Sequence, residues 1–282
     1  MAKFLRNVRV TVGNTNEFTV IDNFMIRFSI RKRATDTPAD GTITVFNLNE
    51  LSEERIRDRG VAATLEAGYA GMYGLLYSGS VIRVERERSG NDRLTHMRLG
   101  GTQQSQTQSV IRKTYTTPVP FRVVVCDIVN AMQLVADKST IPDITVNPGT
   151  LPPNTRVALT TVTKEQNLDW YEENGIVKLR KPGEAPRATP STLVINQATG
   201  MVGSPSITDD GIRVQTLLDH RVQLESIINV ESNILQLSAG GTSEESRRQT
   251  IRGPWKVIEV EHTGDNRDGD FLTLIEARPI EG

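Results

Sequence analysis

The chain has 282 residues, length enough for one to three domains with cores of their own. Its 33 lysines and arginines nearly cancel 34 aspartates and glutamates, for a formal charge of −1, which excludes a uniformly basic nucleic-acid binder and an acidic solvating chain. There is no apolar run of about 18 residues to cross a membrane as a helix and no secretory signal core after MAKFLRNVRV. The single Cys126 rules out an intrachain disulfide and a cysteine-based zinc site, so the expectation is a soluble protein from a reducing compartment.

In chain order, the first hundred residues alternate apolar and polar at period two: Val8, Val10 and Val12; Met25, Ile26, Phe28 and Ile30; Ile43, Val45 and Phe46. That period marks half-buried strands, and the Thr/Asp/Pro-rich stretch 34–41 between the last two predicts a hairpin or longer loop. NLNELSEERIRDRG predicts one short helix, with Ser52 as cap, Glu53 and Glu54 at its positive end and Gly60 as stop. Strands resume over 63–69, 75–88 and 93–99, the first two joined by the Gly-rich turn 70–74. The polar tract GGTQQSQTQS then marks a domain edge.

Residues 110–116 read as a strand, and Val124, Ile128, Met132 and Val135 fall at helical spacing behind Pro120. ITVNPGTLPPN reads as a short strand and a proline loop. In NLDWYEENGIVKLRKPG, Asn174-Gly175 between two alternating arms is the strongest hairpin signal in the chain. A proline-containing linker, RKPGEAPRATPS, leads to further strands over 192–195, 212–218, 222–230, 234–237, 255–262 and 271–277, with the polar loop SAGGTSEESRRQTIRG inserted among them. The expected fold is mainly β: two antiparallel β-barrel domains, 1–105 and 189–282, flanking a small α+β domain at 106–188.

No chemical signature emerges. His96, His220 and His262 are far apart with no metal-ligand spacing; the first and last are expected to face outward and His220 to sit in a turn. Cys126 lies among valines, the setting of an inert buried thiol. The carboxylate pairs Glu53-Glu54, Glu172-Glu173, Asp209-Asp210 and Glu244-Glu245 are expected in solvent, since neighbours on a strand point to opposite faces and cannot share a cleft. DNRDGD at 265–270 breaks the calcium-loop pattern and reads as a turn with Asp268-Gly269 at positive φ. Neither a GxSxG or HExxH signature nor a phosphate loop occurs. Arg31-Lys32-Arg33 stands alone, and Arg83, Arg86 and Arg88 alternate with Glu85 and Glu87, so no continuous phosphate-tracking groove forms. Trp170-Tyr171 and Trp255 could stack a sugar or base, although such residues in hairpin arms more often pack. No catalytic, cofactor-binding or metal residue is assigned, and no cofactor is expected.

Three stretches, read in this order, carry a likeness: TITVFNLNELSEERIRDRG with ATLEAGYAGMYGLLYSGSVIRVERE; the helix and WYEENGIVKLRKPGE hairpin; and ATGMVGSPSITDDGIRVQTLLDHRVQLESIINVES with the closing WKVIEVEHTGDNRDGDFLTLIEAR. The chain resembles the baseplate hub proteins of tailed bacteriophages, although it lacks the Pro-Gly turn that family members commonly place after the segment matching LLDHR. The resemblance implies two tail-tube-like barrels per chain and a homotrimer whose ring of six barrels adapts the sixfold tail tube above to the threefold central spike below. It also implies a channel for DNA through the ring, no enzymatic activity, no membrane insertion, and a place in the virion baseplate after assembly in the host cytoplasm. Partners would be the tube or tube-terminating protein, the spike, and the tape measure and other baseplate proteins. The nearest alternative in class is the N-terminal part of a type VI secretion spike, which the missing C-terminal needle repeat disfavours. A carbohydrate-binding or cell-wall-hydrolysing tail module, using Trp170, Trp255 and a carboxylate pair, and a single-strand nucleic-acid binder are the readings from other classes.

Overall fold

The computed structural model describes residues 5–13, 17–35, 39–56, 61–100, 109–181, 192–208, 211–232, 236–237 and 251–280. The expected polar tract at 101–108, the linker at 182–191, Asp209-Asp210, Gly60 and the loop at 238–250 with Glu244-Glu245 lie outside the described residues.

The chain is mainly β. Strands β1 (Arg6–Gly13), β2 (Phe18–Ile21), β3 (Ile26–Arg33), β4 (Asp40–Phe46), β5 (Ala62–Tyr69), β6 (Met72–Ser89) and β7 (Asp92–Gly100) pair antiparallel in the order β3-β4-β7-β6-β5-β1-β2. The period-two positions of the sequence bury as a set: Val8, Val10, Val12, Ile26, Phe28, Ile30, Ile43 and Val45 all face one core. The one predicted helix of this region is α1 (Glu50–Ile56), but Asn49 rather than Ser52 caps it, its Oδ1 accepting from the Ser52 amide at 2.8 Å. The hairpin between β5 and β6 is tighter than expected, since Tyr69 pairs with Met72 and leaves only Ala70-Gly71 in the turn.

After β8 (Val119–Pro120), the central region holds α2 (Phe121–Ala131), β9 (Val135–Ala136), a single 3-10 turn (Lys138–Thr140), β10 (Thr145–Val146), α3 (Thr155–Lys164) and the hairpin β11 (Asp169–Glu173) with β12 (Ile176–Arg180). Helix α2 stops before Val135, because Gln133 takes φ 59°, and Val135 becomes an exposed strand residue. The strand expected at 110–116 reduces to isolated bridges, Val110 to Asn154 and Thr114 to Thr150. Helix α3 is not among the elements expected from the sequence; six of its ten residues are Thr or Val, weak helix formers. The Asn154 side chain caps it through the Val157 amide at 3.1 Å, and Ala158, Leu159 and Val162 anchor it against α2. Cys126 is half-buried at the margin of this core rather than fully enclosed.

The last region adds β13 (Leu193–Ile195), β14 (Ser206–Thr208), β15 (Gly211–Leu217), β16 (Ile227–Ser232), β17 (Gln236–Leu237), β18 (Ile251–Asp265) and β19 (Phe271–Pro279). The strand expected over 222–230 begins only at Ile227; Val222 and Leu224 bury from the connection before it. In the closing turn Gly269 alone of the expected pair has positive φ, while Asp265 accepts the Arg267 and Asp268 amides at 2.8 and 3.0 Å.

The two β regions are not separate sheets. β18 pairs with β3, so one 14-stranded sheet runs through both. The two halves repeat a theme: β3-β4-β7-β6-β5 and β14-β15-β19-β18-β16 have the same neighbour order, all antiparallel. The long strands share a further mark, a register shift at Val81/Arg83 against β7 and at Val257/Glu259 against β19.

Candidate assembly interface

The seam between the halves is where the chain concentrates its buried polar chemistry. β18 is long enough to change partners: residues 251–256 pair with β16, and from Glu259 to Asp265 the strand pairs with β3. The bulge supplies the change of course, and the Ile258 carbonyl accepts from the Ala34 amide at 2.8 Å as the strand crosses over. On the polar face of this pairing Glu259 takes Arg31 on one oxygen and Arg33 at 3.0 Å on the other. The basic run read from the sequence is therefore split by strand alternation: Arg31 and Arg33 join the ion pair, and Lys32 turns inward.

Lys32 is only 6% exposed, and its ammonium donates to Asn174 Oδ1 at 3.1 Å. Burial lowers its pKa, with Glu173 opposing and Lys178 reinforcing the shift. Asn174 is the first residue of the predicted Asn-Gly turn, and with φ 53° there and 82° at Gly175 the turn is of the left-handed kind that short hairpins need. Its amide oxygen also accepts the Ser78 amide of β6 at 3.2 Å. The hairpin β11-β12 is thereby pinned to the first half through its turn. It is pinned to the second half through its arms: Glu173 accepts the Leu224 amide at 3.2 Å and pairs with Lys178 at 3.0 Å, and Tyr171 packs in the second-half core. Arg180 pairs with Glu225, whose other oxygen holds Lys256 at 2.6 Å, and donates to the Ala34 carbonyl at 2.7 Å.

The apolar side of the seam is equally shared. Phe271 and Leu218, from the second half, bury in the core of the first. The Phe271 ring meets Phe28 and Tyr69 edge-on at centroid distances of 6.0 and 5.2 Å, with the Arg6 guanidinium 5.2 Å over its face. Gly264 is required beside it, because a Cβ there would come within 2.4 Å of the Phe28 ring and 2.8 Å of Phe271.

Several sequence expectations are corrected here. His262 does not face outward; it is 1% exposed on β18, its Nδ1 is 2.9 Å from Thr273 Oγ1, and burial followed by the Lys32 charge holds its pKa down to about 3. His220 does sit in a turn, against Gly74 of β6. His96 is half-exposed, between Thr44 at 2.9 Å and Glu87 at 3.2 Å. Glu53 is not solvated: it is 2% exposed, accepts from Thr95 Oγ1 at 2.6 Å and pairs with Arg86 at 3.0 Å. Glu172 and Glu173 are buried as well. Trp170 is buried with its Nε1 on Thr160 at 3.0 Å, and Trp255 packs half-buried against the second-half core, so neither offers an exposed stacking platform. Among the described residues no three His, Cys, Asp or Glu gather to hold a metal ion.

One chain thus carries two fused copies of the same strand meander, with several ion pairs at their junction. The family model described as "Baseplate hub gp41" matches residues 6–240. The chain belongs to the baseplate hub family. The resemblance read from the sequence thus holds at the level of family, and the hub chain is a phage tail and baseplate protein of a structural kind. No curated protein sequence matches it. Among solved structures, the 43 kDa tail protein of prophage MuSo2 from Shewanella oneidensis is similar with a TM-score of 0.62 at 8% identity, covering 97% of this chain and 98% of that one. The tail protein of Neisseria meningitidis MC58 gives 0.61 at 9% identity over 98% and 97%. The E. coli c3393 protein, a type VI secretion component described as similar to the T4 tail proteins gp27 and gp5, gives 0.52 at 13% over 92% and 74%. At these identities the likeness is one of fold.

The residues that join the halves were missed by residue-type reasoning, which looked for reactive clusters. A signal was present: VIRVE at 81–85 and VIEVE at 257–261 are near-identical and begin at the two matching bulges.

Proposed function

We propose that the hub chain forms a homotrimeric ring at the centre of the baseplate, adapting a sixfold tail tube above to a threefold spike below and enclosing the channel through which DNA passes. The observation that carries this reading is the duplicated five-strand meander: three chains, each with two like units fused along one sheet, supply six like units around a threefold axis. The same reading gives three domains, 1–105, 106–188 and 189–282, the first and last presenting the tube-like strands and the middle one braced across their seam. The partners are the tube or tube-terminating protein, the spike, and the tape measure and other baseplate proteins. The chain acts in the virion, assembled in the host cytoplasm, and touches DNA without reading its sequence.

The test is the solution mass by light scattering over a range of concentrations. A species near three times 31.2 kDa, including one that forms only as concentration rises, supports the ring. A monomer at every concentration, both alone and with the spike protein, refutes it.

A further inference from the structure

The duplicated meander leaves one strand unequally used. In the second half, β18 continues past its bulge into the pairing with β3, and its residues there are covered: Val260 and His262 are each 1% exposed. In the first half, β6 continues past the matching bulge with β7 on one side only, and among the described residues no strand lies along its other side beyond Ser80. Residues 82–89 are exposed except for half-buried Val84. The hydrogen-bonding direction there is fixed by β7. The Arg93 carbonyl is taken by the Asn47 amide at 2.7 Å on the β4 side, so Arg93 and its cross-strand partner Arg88 do not bond to each other. By alternation the peptide groups of Val84, Arg86 and Arg88 point to the open edge. A strand with a free row of donors and acceptors is a template for another strand.

The repeat also says which strand fits. Aligning the bulges equates Arg83 with Glu259 and, through the β7 and β19 registers, Thr42 with Arg213 and Ser29 with Ser206. The first-half counterpart of β14 is therefore β3, the strand that β18 takes inside the chain. Among the described residues of one chain the outer side of β14 is met only by the two-residue β17.

We propose that the outer half of β6 in one copy of the chain takes the β14 edge of a second copy, repeating between chains the β18–β3 junction within the chain. Carrying over the internal register sets Glu85 opposite Thr208, Arg86 opposite Ile207 and Glu87 opposite Ser206, with β17 yielding its place. The contact is head-to-tail, one open edge and one receiving edge per chain, so it closes only as a ring. The inference rests on the ring reading and adds its seam.

The experiment is disulfide cross-linking of the full chain in a Cys126→Ser background, with Glu87→Cys and Ser206→Cys combined. Opposed positions that do not bond to each other bring Cα atoms to about 4.5 Å, within disulfide reach. Mild oxidation with copper phenanthroline is expected to give covalent dimers and then trimers on a non-reducing gel, reversed by dithiothreitol. Either cysteine alone, or the off-register pair Glu85→Cys with Ser206→Cys, gives a several-fold weaker ladder. Independently, Arg86→Pro removes a donor only from the open edge and is expected to convert the trimer to monomer with an unchanged circular dichroism spectrum. Arg86→Ala, which loses the Glu53 pairing but keeps the amide, retains the trimer. A light-scattering trimer without the in-register cross-link overturns the seam and leaves the ring; a monomer without cross-link overturns both.

Discussion

Replacing Phe271 with alanine tests whether the two halves stand as one folded body. The side chain is 2% exposed and belongs by sequence to the last hairpin, yet its ring fills the first-half core between Phe28 and Tyr69. Truncating a buried phenylalanine costs about 3–5 kcal/mol through lost transfer energy and the cavity left behind. The upper part of that range is expected, because two edge-on ring contacts and the Arg6 cation are lost together and backbone bonds hold the surroundings in place: the Phe271 carbonyl accepts from Leu218 at 3.0 Å and Tyr69 Oη at 3.2 Å. Ile275→Ala, four residues on and buried in the second-half core, is the partner variant and costs about 2–5 kcal/mol. The assay is guanidinium unfolding followed by circular dichroism and by tryptophan fluorescence. Both variants are expected to move one common transition to lower denaturant with unchanged slope. A loss below about 1 kcal/mol for Phe271→Ala, outside the range for a buried ring, or two transitions of which each variant moves only one, would refute the shared core.

Three further outcomes follow from the same geometry. Gly264→Ala is expected to weaken the fold by about 1–3 kcal/mol by overpacking the Phe28 and Phe271 rings, read as a fall in denaturant midpoint; Gly71→Ala is the contrast, with open space around its Cβ position and strain only from its φ of +80°. Glu53→Ala strands the buried Thr95 hydroxyl and removes the Arg86 pairing, a loss of about 1–3 kcal/mol by the same measurement. Between about pH 6.5 and 4 His262 stays neutral in the folded chain, its pKa held to about 3, while the unfolded chain takes up the proton. The unfolded state thus binds more protons there, and stability falls with falling pH by up to about 1.4 kcal/mol per unit. His220, also lowered, adds in the same direction, whereas Asp127 and Asp265, lowered from the ordinary aspartate value, act near and below pH 4. Unfolding free energies of wild type and His262→Gln at pH 7, 6 and 5 should converge toward low pH; parallel curves would contradict the assignment.

Local pattern made much of this protein legible. Period-two runs such as Val8 to Val12 located strands because alternation is a property of the strand itself, and Asn174-Gly175 located a hairpin because two left-handed residues leave the backbone few other courses. The order of the stretches sufficed for the family. What local pattern does not contain is which strand lies beside which. Nothing in IRFSIRKR states that it will pair with a strand more than two hundred residues away, and that pairing turns Lys32 into a buried donor to Asn174 and joins Arg31 and Arg33 to Glu259. Glu53 and His262 went the same way: each reads as a solvated polar residue by type, and each is buried beside a hydroxyl that satisfies it, Thr95 on β7 for Glu53 and Thr273 across the closing hairpin for His262. Helix α3 formed against the preference of its threonines and valines because α2 offered Ala158, Leu159 and Val162 a surface to cover. The sequence determined the elements and the kind of protein; the tertiary structure decided the seam, since long-range pairing is set by the sum of burial over the whole sheet and by no single stretch of it.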